Sequence, residues 1–148
     1  DLLRVPFLAS QPGTLPAGQV TDQLLSLVDV MPTLLAAAGA PIPSGLDGRS
    51  QWDAWQGRQP AVRDHVLVEN RHQPHTLHLL TWIDRRYKIT VYKNRAYGEL
   101  FDLENDPGEF ENLWEVPAAQ ALKQQMLARL PRQSLTDDPP PMPRIAVA

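Results

Sequence analysis

Between Val66 and Leu103 one kind of segment recurs four times: a short run rich in β-branched and aromatic residues, followed by a polar link. The runs are Val66-Leu67-Val68-Glu69, Leu77 to Ile83, Tyr87 to Tyr92, and Glu99 to Leu103. Such runs suit strands. In the third run Tyr87, Ile89 and Val91 share one face, while Lys88, Thr90 and Tyr92 share the other. The links Asp84-Arg85-Arg86 and Lys93 to Gly98 are short and polar, which favours antiparallel neighbours. A helix is then expected from about Pro117 to Leu130. Pro117 suits its first turn, Ala118, Leu122, Met126 and Leu130 repeat every fourth position on one face, and Pro131 ends it. The expected product is a four-stranded antiparallel sheet packed on one C-terminal helix. Asp106-Pro107-Gly108-Glu109 fits a type II turn after the fourth strand.

The chain before this region has another rhythm. Val5-Pro6-Phe7-Leu8-Ala9 reads as a short buried strand, with Pro6 tolerable near its start or at an edge. Gln11 to Gly18 is turn material. Asp29 is a good N-cap for a helix whose stripe is Leu34, Leu35 and Ala38, with Pro32 in its first turn and Gly39 just beyond its end. Pro41 through Gly57 is rich in Pro and Gly and reads as irregular surface structure. The fold class is α+β. The expected divisions are residues 1–60, residues 61–136, and a Pro-rich extended tail over residues 137–148, held only if something docks it.

Composition narrows the functional classes. The 148 residues carry a net charge of -3 with both signs interspersed, so there is no basic footprint for nucleic acid and no charged face for a membrane surface. No stretch approaches the roughly 18 apolar residues of a membrane-crossing helix. The absence of cysteine excludes disulfides, thiolate–metal sites and a cysteine nucleophile within these residues. The start, Asp1-Leu2-Leu3-Arg4, has neither the basic nor the apolar region of a signal peptide and reads as the interior of a folded element. A fragment is the expectation.

Two sets of motifs carry a resemblance. The first is Leu3-Arg4-Val5-Pro6-Phe7, Pro12-Gly13, Ser26-Leu27-Val28-Asp29-Val30-Met31-Pro32-Thr33-Leu34-Leu35, Ala38-Gly39, and Leu46-Asp47-Gly48-Arg49-Ser50, with Gln51 where Leu is usual. The second is Arg86 to Tyr92, then Gly98-Glu99-Leu100-Phe101-Asp102-Leu103-Glu104-Asn105-Asp106-Pro107-Gly108-Glu109 and Asn112-Leu113-Trp114. In this order they resemble the C-terminal portion of formylglycine-dependent sulfatases of the alkaline-phosphatase-like superfamily. The resemblance implies that residues 1–60 are the remnant strand and helix of the catalytic α/β domain. It implies that residues 61–136 are the C-terminal subdomain.

A sulfatase uses a formylglycine made from a C/S-x-P-x-R motif, and a divalent cation, usually calcium, held by Asp and Asn oxygens. Neither set is expected in this segment. The nearest approach to the nucleophile motif, Ser10-Gln11-Pro12-Gly13-Thr14, has Thr14 in place of Arg. The resemblance places the catalytic motifs upstream, the last being a Lys shortly before Asp1. No catalytic or metal-binding residue is therefore expected here. The implied partners are the N-terminal catalytic domain and a sulfated small molecule or glycan.

Four residues are candidate substrate contacts: Asn70, Arg71, His72 and His75, which with Gln73 form a polar loop between two strands, suited to a sugar or an anion. His72, His75 and His78 are spaced by three, and odd spacing on a strand sends neighbours to opposite faces, which argues against one zinc site. Asp102, Glu104, Asp106 and Glu109 lack the register of a calcium loop, and turn formation is expected of them. Asp29 is expected to cap its helix rather than act as an acid. Trp82 and Trp114 are expected to pack between sheet and helix, with Trp52 and Trp55 facing the absent domain.

Two alternatives remain open: a segment of a related phosphonate or phosphodiester hydrolase, and a free-standing glycan-binding module. A free-standing module predicts a closed surface around Val5 to Ala9. The sulfatase reading predicts an exposed apolar face there and along the Asp29 helix.

Overall fold

The structure, a computed structural model, describes residues 3–71 and 78–130. The tail expected over residues 137–148 lies outside the described residues. The chain divides into two compact units, Asp1–Asp64 and His65–Ala148.

The second unit contains β1 (His65–Asn70), β2 (Leu79–Asp84), β3 (Tyr87–Tyr92) and β4 (Gly98–Asp102) in the order β1-β2-β3-β4, every neighbour antiparallel. This is the expected sheet. The register sets Trp82 opposite Ile89 and Ile89 opposite Leu100. With Leu80 these residues share one face. Leu80, Ile89 and Leu100 are fully buried, and Met126 and Leu130 join them in one core. The C-terminal helix begins with a 3₁₀ turn (Pro117–Ala119) and continues as α3 (Gln120–Arg129). The stripe begins one residue later than expected, because Ala119 is buried and Ala118 is exposed.

Trp114 closes this core. Its ring lies against Gly98, where any added Cβ would collide with it, so β4 must start with glycine. Its indole N–H donates to the Ala96 carbonyl at 3.1 Å. Beside it the Asn112 side chain acts as a short surrogate strand. Its Oδ1 accepts from the Leu100 amide at 3.0 Å and its Nδ2 donates to the Gly98 carbonyl at 3.1 Å. The free edge of β4 is thereby satisfied without a fifth strand.

The turn at Asp106 differs from expectation. It closes, with Glu109 N–H to Asp106 O at 3.1 Å, but the left-handed residue is Glu109 (φ 56°) and not Gly108. A type II turn is therefore not formed. The Lys88 ammonium pairs with the Glu109 carboxylate, which helps a non-glycine residue hold that conformation.

The first unit is built differently. Its regular elements are a 3₁₀ turn (Leu27–Asp29), α1 (Val30–Ala37) and the single turn α2 (Trp52–Trp55), which falls within the stretch expected to be irregular. Gly39 ends α1 as expected, at φ 66°, its N–H donating to Ala36 O while Ala40 N–H reaches Leu35 O. Residues 5–9 are not assigned to a strand. A strand needs a ladder partner, and none of the four strands found belongs to this unit.

Candidate functional site

Asn70 ends β1 and Arg71 follows it; His72, Gln73 and His75 lie outside the described residues. Arg71 donates from Nε and Nη2 to Glu69 Oε1 at 2.8 and 2.6 Å. His78 Nε2 meets the same oxygen at 2.8 Å. Arg71 and His78 are thus tied to one carboxylate. Burial works to raise the Glu69 carboxyl, but Arg71 and His78 outweigh it and hold it below its ordinary value. Glu69 stays ionised and keeps the cation of Arg71 oriented at the strand end. The sequence did not single out Glu69. The signal was its place two residues before Arg71, which in extended chain puts the two side chains on one side.

The register carries this end of the sheet further. Asn70 pairs with Leu79, and Leu79 pairs with Tyr92. The Lys93 amide donates to the His78 carbonyl at 2.8 Å, prolonging the ladder. The C-terminal ends of β1 and β3 and the starts of β2 and β4 therefore lie at the same end of the sheet. Among the described residues no group of three or more His, Asp or Glu is placed to hold a metal ion. The acidic run after β4 closes turns instead. Asp102 Oδ1 accepts from the amides of Glu104 and Asn105, and Asp106 Oδ2 accepts from the Glu111 amide at 2.8 Å.

Asp29 does not cap α1 as expected; its carboxylate accepts from the Ser26 amide, as the third residue of a capping box on the preceding 3₁₀ turn. No amide of the α1 first turn reaches its side chain. The carboxylate is fully buried and receives Arg63 Nε at 2.6 Å and Nη2 at 2.5 Å, the Arg49 amide at 2.8 Å, the Ser26 amide at 3.0 Å and Gln51 Nε2 at 3.1 Å. A two-pronged guanidinium and two peptide donors are stronger partners than one helix amide, so they win the carboxylate. Burial pushes this carboxyl up, yet Arg63, Arg49 and Ser26 together bring it below the ordinary value. Thr33 extends the seam: its hydroxyl donates to Asp29 O at 2.6 Å and accepts from the Gln51 amide at 2.9 Å. Gly48 makes this approach feasible, since a Cβ there would strike the Val28 carbonyl.

With its interior taken up by this polar seam, the first unit turns apolar side chains outward. Leu8 is 97% exposed, Leu34 61% and Val5 54%. Phe7 packs on Trp55 with ring centroids 5.4 Å apart. Both rings line a cleft of about 190 Å³ with Leu15, Leu34 and Trp52. These side chains give the first unit an open apolar face.

The fold is that of the C-terminal region of alkaline-phosphatase-like hydrolases. A phosphonate monoester hydrolase from Silicibacter pomeroyi superposes with a TM-score of 0.66 at 27% identity, over 80% of this chain and 27% of that one. Residues 1–136 match the family described as N-sulphoglucosamine sulphohydrolase, C-terminal, and the chain belongs to that family of sulfatase C-terminal regions. An arylsulfatase of Clostridium perfringens is 35% identical over 74% of this chain and 23% of its own length. An ulvan-active sulfatase of Formosa agariphila is 27% identical over 84% of this chain and 32% of its own length. The chain thus spans about a quarter to a third of these curated relatives.

Proposed function

We propose that this chain is the C-terminal segment of an enzyme that hydrolyses sulfate esters, and that it completes the fold and shapes the substrate pocket without supplying catalytic residues. Residues 1–60 serve as the end of the catalytic α/β domain and residues 61–136 as the C-terminal subdomain. The observation that carries the reading is the family match over residues 1–136, joined to the open apolar face of the first unit. That face is the expected seat of the N-terminal catalytic domain. Formylglycine and calcium belong in this reading to the parent enzyme. The best-buried carboxylate here, Asp29, is saturated by Arg63 and amide donors, so the described residues fit no calcium cradle and no step is assigned through one.

Asn70, Arg71, His72 and His75 are proposed to face a sulfated sugar or small molecule. Supporting this, Glu69 holds the Arg71 guanidinium at the strand end, where it can meet an anionic oxygen. The likeness to a phosphonate monoester hydrolase favours a second reading, in which the parent cleaves a phosphorus ester. The coding sequence upstream of the Asp1 codon separates the two. A C/S-x-P-x-R motif there supports sulfatase chemistry, and a Thr or unmodified nucleophile supports phosphoryl transfer. Assayed alone against an aryl sulfate, the chain is expected to show no turnover. A rate near that of a complete sulfatase would overturn the view that catalysis lies outside it.

A further inference from the structure

Beyond β3 the chain makes a turn, with the Arg95 amide donating to the Tyr92 carbonyl at 3.1 Å and Asn94 in the left-handed region at φ 59°. Tyr97 follows, one residue before β4. The last ladder pair is Val91 with Gly98, so Tyr97 stands opposite Tyr92 and extends the row Asn70, Leu79, Tyr92 by one strand. The rings of Tyr92 and Tyr97 are 5.5 Å apart. Both hydroxyls reach one oxygen of Glu99, at 2.9 and 3.4 Å. Burial, followed by the Glu99 carboxylate, pushes the Tyr92 phenol up to about 12, so Tyr92 remains a neutral donor to Glu99. Tyr97 is therefore positioned on two sides, yet it remains 57% exposed. Arg95, two residues earlier in the turn, is also exposed. Neither residue has a part in the core of the unit.

An exposed aromatic ring held in place, a carboxylate oxygen at its edge and an exposed arginine two residues earlier in the same turn suit a sugar with an anionic substituent. The ring covers the apolar sugar face, Glu99 accepts from a hydroxyl, and Arg95 pairs with a sulfate or carboxylate. Three strand spacings separate Asn70 from Tyr97, about 14 Å along the same face and end of the sheet. We infer that Tyr97, Glu99 and Arg95 form a second sugar subsite, which together with Asn70 binds one extended sulfated oligosaccharide across the end of the sheet. This inference rests on the proposed substrate-facing role of Asn70 and Arg71.

The test is calorimetric binding of the chain to heparin-derived disaccharides and tetrasaccharides. Tyr97→Ala is expected to weaken the tetrasaccharide about 5- to 10-fold and leave the disaccharide unchanged. Arg95→Glu should weaken it at least as much, by an amount that shrinks as salt is added. Tyr97→Phe, which keeps the ring, should bind within about twofold of the wild type. If Tyr97→Ala and Arg95→Glu both leave the tetrasaccharide within twofold while Asn70→Ala and Arg71→Ala weaken both ligands, the second subsite is overturned and the first stands. A wild-type chain that binds neither ligand overturns both.

Discussion

The two units reach a folded state by opposite routes. The His65–Ala148 unit buries Leu80, Ile89, Leu100 and Met126 in one apolar core and keeps pairs such as Arg129–Asp84 at its surface, with half of the Arg129 side chain exposed. The Asp1–Asp64 unit buries Asp29, Thr33 and Gln51 and leaves Leu8, Leu34 and Val5 in the open. In the first route water-excluding surface drives assembly and polar groups tolerate change. In the second a buried carboxylate holds separate segments together, and each partner lost leaves a charge unpaired.

The sharpest way to break this comparison is at Asp29. Asp29→Ala strands the Arg63 guanidinium and is expected to destabilise by about 3–5 kcal/mol, measured by urea unfolding. Amide exchange should rise throughout residues 26–63 and stay slow in β2 and β3. Uniform loss of protection would sink the two-route account. In the sheet unit Leu80→Ala should cost about 2–5 kcal/mol and leave exchange around Asp29 unaltered. Gly98→Ala drives a methyl into Trp114 and should cost about 1–3 kcal/mol, visible as altered Trp fluorescence and a lower denaturant midpoint.

Acid provides a gentler lever on the same contrast. The folded Asp29 carboxyl titrates below the 3.8 of a free side chain. Its contribution is therefore complete above the unfolded value and drains away as pH falls through the lower folded one. Stability measured between pH 5 and pH 2 should fall more steeply for the wild type than for Asp29→Asn, and parallel curves would remove Asp29 from the account. The smallest effect is expected from Arg129→Ala, roughly 0.2–1 kcal/mol, since its pair with Asp84 is half exposed. A larger loss there would mean that surface charge matters to the sheet unit after all.

Which parts were legible in the sequence follows the same division. The strands of the second unit announce themselves because side-chain alternation and short links are local properties, and Pro117 with the fourfold spacing of Leu122, Met126 and Leu130 marks the helix. What holds the first unit is not local. Asp29 before Met31-Pro32 has the signature of a cap, and only its donors, 20 to 34 positions away, turn it into a hub. Val5 to Ala9 has a strand's composition, but pairing requires a neighbour that composition does not reveal. At Asp106 the Pro-Gly pair signalled a turn correctly, while the left-handed residue passed to Glu109, whose ion pair with Lys88 is remote in sequence. Asn70 and Arg71 were singled out as candidate contacts by their chemistry alone. Glu69 and His78, which orient Arg71 and its strand end, required the register.

The Arg63–Asp29 contact also has a place in time. Arg63 grips a residue 34 positions earlier, across a stretch whose regular structure after α1 is the one turn α2. Closing so long a loop is entropically uphill until the final bond is made, whereas β2 and β3 are joined by only Arg85 and Arg86 and can zip within roughly 1–10 μs. During refolding the hairpins should acquire protection first and the Arg49 amide, which Asp29 accepts, among the last. Pulse-labelled hydrogen exchange would resolve that order, and early protection at Arg49 would refute it. Of the two units, the one synthesised earlier would then be the one that sets later.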